Sequence, residues 1–175
     1  MITVENIKFF NRHRQVVSMK GVVALQDIPA MTIVGRYPGR LLHIDEYIRI
    51  PNMFERDAFS IQTEFDNRIL TPFDDNGKLV FDTDVLYINE PSEYRLSRCG
   101  KLRQMYPNCS IAVDYINRHV YIVAFTDIAK GGSLLWYYSN EGGENAYLRN
   151  YNVTNVSNIP YYHIEKDGKL VEDDN

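Results

Sequence analysis

Short apolar runs rich in β-branched and aromatic residues, each ended by Gly, Pro, Asn or Asp, recur along this chain and constrain its fold more than any other feature. Val16-Val17 and Val22-Val23-Ala24-Leu25 bracket Met19-Lys20-Gly21, which predicts two strands around a tight turn. Residues 32–37 predict a further strand, stopped by Pro38-Gly39. Ile44, Tyr47 and Ile48 suit a short helix before Pro51. Strand-like spacing returns at Ala58-Phe59-Ser60-Ile61, and Asn76-Gly77 between Leu70 and Leu79-Val80-Phe81 is a hairpin signal. A second hairpin is predicted from residues 111–115 and 119–125, which flank Ile116-Asn117-Arg118. Residues 92–106 carry Arg95, Arg98, Lys101 and Arg103 and read as an inserted loop or short helix with a solvated basic face. No internal repeat, linker or low-complexity segment stands out, and the acidic end at 171–175 is expected to fray. Runs this short and numerous predict a mainly β domain of several small sheets with few short helices.

At 175 residues the chain suits one compact domain with a core of its own. Thirteen Tyr and eight Phe fit pleated surfaces and supply phenol groups for a polar pocket. A net charge of −4 argues against a general nucleic-acid binder and slightly favours a basic peptide partner. The two cysteines, Cys99 and Cys109, make neither a disulfide framework nor a four-ligand zinc site. The first residues lack the charged-then-apolar pattern of a secretory signal, and no run is long enough to span a bilayer. The expectation is an intracellular protein, nuclear or cytoplasmic and not secreted. The sequons at Asn108, Asn152 and Asn155 are then chance matches.

Four motifs stand in a specific order. Lys20-Gly21 precedes the Val22-Val23-Ala24-Leu25 strand and Asp27-Ile28-Pro29, and Asn89-Glu90-Pro91 follows Leu86-Tyr87-Ile88. Then come Pro107-Asn108-Cys109 and, last, Asp127-Ile128-Ala129-Lys130-Gly131 running into Leu134-Leu135-Trp136-Tyr137-Tyr138. This order resembles the SET-domain family over residues 16 to 151. The resemblance implies a β-clip-like fold of several short sheets with a knot-like C-terminal threading. It also implies transfer of a methyl group from S-adenosylmethionine to a lysine side chain, leaving S-adenosylhomocysteine.

Residue by residue, the resemblance assigns Met19, Lys20 and Gly21 to the methionine end of the cofactor. Glycine suits that place because only a residue without Cβ lets a ligand come so close to the backbone; taken alone, Gly21 reads as a plain hairpin turn. Asn89 and the backbone of Glu90 would also hold the cofactor, and an amide offers the donors and acceptor needed. Tyr138 takes the place of the family's active-site tyrosine. Tyr37, in the family's Tyr-x-Gly position, is either a wall of the lysine channel or a half-buried strand-end tyrosine. Ile111 falls where some members carry a channel tyrosine. Cys109 fits a small buried hydrophobe, since no histidine in the motif pairs with it.

Several letters depart from the family: Glu90 for His, Met31 for a glycine, Gly132-Ser133 for two acidic residues and Ser139 for another glycine. No cysteine follows Cys109, so the zinc segment that closes the channel in many members is absent and no metal is expected. Residues 1–151 then form the SET-like catalytic domain, with the basic insertion at 92–106. Residues 152–175 form an aromatic, then acidic tail, whose tyrosines either close the substrate channel or pack on the sheet. The partner implied is a lysine-bearing protein or peptide, with a histone tail as one candidate and no direct nucleic-acid or membrane contact. The alternative is a SET-fold binding module that has lost catalysis.

Overall fold

The computed structural model describes residues 1–10, 15–89, 94–96, 102–104, 106–136 and 159–174. Strands dominate, grouped in three small sheets with few short helices, as the sequence predicts.

The first sheet begins with β1 (Ile2–Phe10) and β2 (Val16–Ala24), antiparallel from Ile2 opposite Ala24 to Phe10 opposite Val16. Residues 16–24 are therefore one continuous strand, not two strands around a turn at Met19-Lys20-Gly21. Gly21 lies mid-strand, opposite Glu5. A Cβ there would overlap Ile7 Cδ1 and come within 3.0 Å of Asn89 Nδ2. A glycine inside a strand marks such a close approach as readily as it marks a turn. β7 (Tyr94–Leu96) and β8 (Leu102–Gln104) pair with each other and join β1 through Phe10 opposite Tyr94. The segment read as a loop or short helix thus holds a strand pair.

The second sheet has the order β12-β11-β9-β10-β3. β3 (Thr32–Arg36), β9 (Cys109–Asp114) and β10 (His119–Ala124) form where expected. The β9–β10 turn is held by Asp114, whose carboxylate accepts the Ile116 and Asn117 N–H groups and the Asn117 side-chain amide. Those bonds, led by the Asn117 N–H, hold its carboxyl below the usual range. Both faces of β9 and β10 are covered, so Cys109, Ala112, Ile122 and Val123 are all buried, and the apolar run is nearly continuous rather than alternating. β11 (Tyr162–Ile164) adds parallel to β9, with Tyr162 opposite Ala112, and β12 (Leu170–Glu172) returns antiparallel to it. The end expected to fray from Val171 is instead an edge strand, and Tyr162 packs into the sheet against Ala112 and Val123.

The third sheet, β4 (Arg40–Leu42), β5 (Ile61–Gln62) and β6 (Ile69–Thr71), has the order β4-β6-β5. The predicted helix before Pro51 is α1 (Ile44–Tyr47); α2 (Met53–Ala58) after it carried no clear signal. Buried Arg56 joins the two, donating from Nη1 to the Ile48 and Ile50 carbonyls at 3.0 Å each. The Asn76-Gly77 turn forms, closed by Asp74 N–H to the Lys78 carbonyl, with a Phe73–Leu79 bridge and the Val80 N–H donating to the Pro72 carbonyl across it. A 3-10 turn (Asp84–Tyr87), not a strand, delivers Asn89.

Two distant segments interlock at the centre. Ile28 and Ile128 exchange backbone hydrogen bonds of 2.8 Å each. Asp27 Oδ1 accepts the Lys130 N–H and Asp127 Oδ1 accepts the Ala30 N–H, both at 2.8 Å. The Ala24 carbonyl takes the Gly131 N–H while the Ala124 carbonyl takes the Met31 N–H. Residues 24–31 and 124–131 are thus a two-fold-like repeat, which the reading of the sequence alone missed. The reciprocity explains Met31: at φ 64 it holds the left-handed position that Gly131 holds at φ 79. That conformation costs a Cβ-bearing residue about 1–2 kcal/mol. Met31 is 45% exposed, so trimming it removes little burial. Met31→Gly is expected to stabilise the domain by about 0.5–1 kcal/mol after glycine's extra chain entropy is set against the relief. A higher urea midpoint at unchanged slope is the check.

Candidate functional site

Three of the four motifs converge on residues 133–136. Ser133 bridges antiparallel to Val23, Leu135 parallel to Asn89, and Trp136 parallel to Cys109. The Leu134 N–H donates to the Val22 carbonyl and the Trp136 N–H to the Asn89 carbonyl, each at 2.9 Å. From the other side the Asn108 and Cys109 N–H groups both donate to the Leu135 carbonyl. This segment passes between β2, the 89 region and β9. The knot-like threading expected of its continuation falls on residues outside those described.

Asn108 closes the arrangement. Its Oδ1 accepts the Leu135 N–H and its Nδ2 donates to the Ser133 carbonyl, both at 2.8 Å. One carboxamide therefore acts as an extra peptide unit along the edge of 133–135, which is why an amide serves here and an acid or alcohol does not. Sequence reading matched Pro107-Asn108-Cys109 as a motif without finding this role. The clue was the amide itself, placed just before a buried strand.

The Asn89 carboxamide reaches across to the glycine strand, where Nδ2 donates to the Lys20 carbonyl at 2.9 Å. Its Oδ1 and second N–H are not used in that bond. Gly21 lies directly beneath, and its missing Cβ is what admits Asn89. Met19 shares the Gly21 face by strand alternation, and Lys20 places its Nζ 5.0 Å from the Tyr87 ring centroid. Lys20, Gly21 and Asn89 are thus brought together, although Lys20 and Asn89 are 69 residues apart in sequence. Glu90 and Tyr138 lie outside the described residues, as do Cys99 and Ser139.

Tyr37 is 5% exposed. Its hydroxyl donates to the Phe59 carbonyl at 2.8 Å, and its ring meets Trp136 edge-on with centroids 5.8 Å apart. Burial pushes the phenol well above its usual range. The hydroxyl is committed to the backbone, while the ring braces the segment that leads to Tyr138. Cys109 is fully buried, its thiol pushed up to about 12 by burial. It is packing material, as expected, and not a nucleophile. The Gly132 departure also has a structural reason: a Cβ there would come 2.8 Å from the Ala129 carbonyl oxygen. The turn has no room for an acidic side chain at that position.

The family model described as SET domain matches residues 19–139. Curated proteins give no match. Among solved structures, the methyltransferase domain of human PR domain-containing protein 2 is similar at 16% identity, over 82% of this chain and 80% of that one, with a TM-score of 0.44. The family match spans the glycine strand, Asn89, Asn108 and the 133–136 segment, and the chain belongs to the SET-domain family.

Proposed function

We propose that this domain is a protein-lysine N-methyltransferase that uses S-adenosylmethionine. SET domains are generally protein methyltransferases. The observation that carries the reading is the Asn89 carboxamide bonded to the Lys20 carbonyl across Gly21. It supports a wall on which Met19, Lys20, Gly21, Asn89 and the Glu90 backbone would hold the cofactor. Bound there, S-adenosylmethionine would supply an electrophilic sulfonium methyl carbon open to attack by a lysine lone pair, with S-adenosylhomocysteine as the leaving group. Tyr138 directs the neutral amine toward that carbon, and holding the two partners in line supplies much of the rate. Tyr37 braces Trp136, two residues before Tyr138 in the sequence. No protein base is needed, because a neighbouring positive charge lowers the amine pKa by repulsion. The substrate is a lysine-bearing protein or peptide, with a histone tail as one candidate.

Titration calorimetry with S-adenosylhomocysteine, paired with methyl transfer to a peptide array, tests this. Tyr138→Phe is expected to lower kcat by at least about 100-fold while leaving cofactor affinity within about twofold. An unchanged rate removes Tyr138 from its role. No cofactor binding at millimolar concentration defeats the enzyme reading. Cofactor binding with no transfer to any peptide identifies instead a SET-fold binding module.

A further inference from the structure

The net charge of −4 averages over two unlike regions. Residues 8–14 and 92–106 together carry seven Lys and Arg against one acidic residue, Glu93, so the rest of the chain is more acidic than the sum suggests. The fold brings strands from both stretches to one corner. β7 joins the end of β1 through Phe10 opposite Tyr94. In the sheet order β2-β1-β7-β8, the strand pair β7–β8 stands at the edge. Its register sets Arg95 directly opposite Arg103. Arg12, Arg14, Arg98 and Lys101 lie outside the described residues.

The basic strip continues along β1. Lys8 precedes Phe10 by two residues, about 7 Å of strand. With Lys130 it lines an open cleft of about 450 Å³. Ile7 and Val23, which pack on each other apart from the main core, give the cleft apolar surface, and Glu5 is the one acidic residue on its wall. None of Met19, Lys20, Gly21 and Asn89 lines it, so it is separate from the proposed cofactor wall. Among the described residues neither Lys8 nor Lys130 makes an ion pair.

Like charges set directly opposite on a strand pair are destabilising. The Arg95–Arg103 pairing works against stability in the free chain, and a polyanion laid along the strands removes that cost. A two-stranded ribbon also fits the roughly 12 Å width of a DNA major groove. A phosphate backbone meets the local potential and not the net charge, so the overall −4 does not exclude nucleic acid at this corner. We propose that the β7–β8 strand pair, with Lys8 and Lys130, binds the phosphate backbone of double-stranded DNA without regard to sequence. The binding is independent of the methyltransferase reading and is measured without cofactor.

Fluorescence anisotropy of the full chain with labelled DNA duplexes of about 20 base pairs tests it across a range of salt. Two unrelated duplex sequences are expected to bind equally. Log affinity should fall against log salt with a slope of about −3 to −4, as four phosphate contacts require. Arg95→Gln/Arg103→Gln and Lys8→Gln/Lys130→Gln should each flatten the slope by about 2 and cost at least about tenfold in affinity. Removing the opposed arginines relieves repulsion, so that variant should melt no lower than wild type, which separates lost binding from lost folding. Lys166→Gln/Lys169→Gln, beside β11 and β12, is the control and should bind as wild type does. A slope shallower than about −1, wild-type affinity in either double variant, or an equal loss in the control overturns the proposal. So does tighter binding of a labelled polyglutamate of equal charge, which would mark an acidic protein as the occupant.

Discussion

Asn108→Ala is expected to destabilise the domain by about 2–4 kcal/mol, a large share of the roughly 5–15 kcal/mol that holds a domain of this size together. Two hydrogen bonds of 2.8 Å disappear at once. The Leu135 N–H and the Ser133 carbonyl, on residues 3% and 6% exposed, are left without that partner. The cost comes mostly from leaving the buried Leu135 N–H without this acceptor and less from the bonds themselves, because water does not replace what the carboxamide gave. Asn108→Asp sharpens the test. It keeps the acceptor for Leu135 but sets a carboxylate against the Ser133 carbonyl, so it should be destabilising above the carboxylate's pKa and recover as pH falls through it. Urea unfolding of both variants is the measurement. A loss below about 0.5 kcal/mol for Asn108→Ala would mean that backbone pairing alone holds residues 133–136.

Gly21→Ala is expected to cost about 1–3 kcal/mol of stability and to weaken cofactor binding by at least about tenfold. The new methyl would overlap Ile7 Cδ1 and press on Asn89 Nδ2. Ile7 can turn only by disturbing its packing on Val23. Asn89 can move only by giving up its bond to the Lys20 carbonyl. Gly131→Ala is the control. Its φ of 79 makes any side chain there strained, yet nothing lies within 4 Å of its Cβ position. It should lose stability by about 1–2 kcal/mol with cofactor affinity intact. Calorimetry on both separates a general weakening from damage to the Asn89–Lys20 contact. Wild-type affinity in Gly21→Ala would detach that contact from cofactor binding.

Much of this was legible in the letters. The β9–β10 hairpin could be read because Ile116-Asn117-Arg118 interrupts two β-branched runs, and a turn is a local matter. Strand β3 could be read from its own alternation and the Pro38-Gly39 stop. The candidate site was legible in part because Lys20-Gly21, Asn89 and Pro107-Asn108-Cys109 stand in an order that resembles the SET domain. Gly21 was misread as a turn because glycine marks turns and close approaches alike, and which one applies depends on Asn89, far along the chain. Residues 171–175 looked like a frayed acidic end because a short edge strand such as β12 has no apolar pattern of its own. Its order comes from β11, which in turn leans on β9.

By itself the sequence determined the mainly β character, many of the places where strands stop and an order of motifs that resembles the SET domain. Only the tertiary structure decided what those residues do. It made Gly21 a gap for Asn89, Asn108 a clamp on residues 133–135, Tyr37 a brace for Trp136, and Asp27 and Asp127 reciprocal caps on each other's turns. The reason is physical. Turns and alternation follow from the chemistry of neighbouring residues, whereas these contacts join backbone groups that meet only after the sheets have formed. Pairings across such distances leave no periodic trace in the chain.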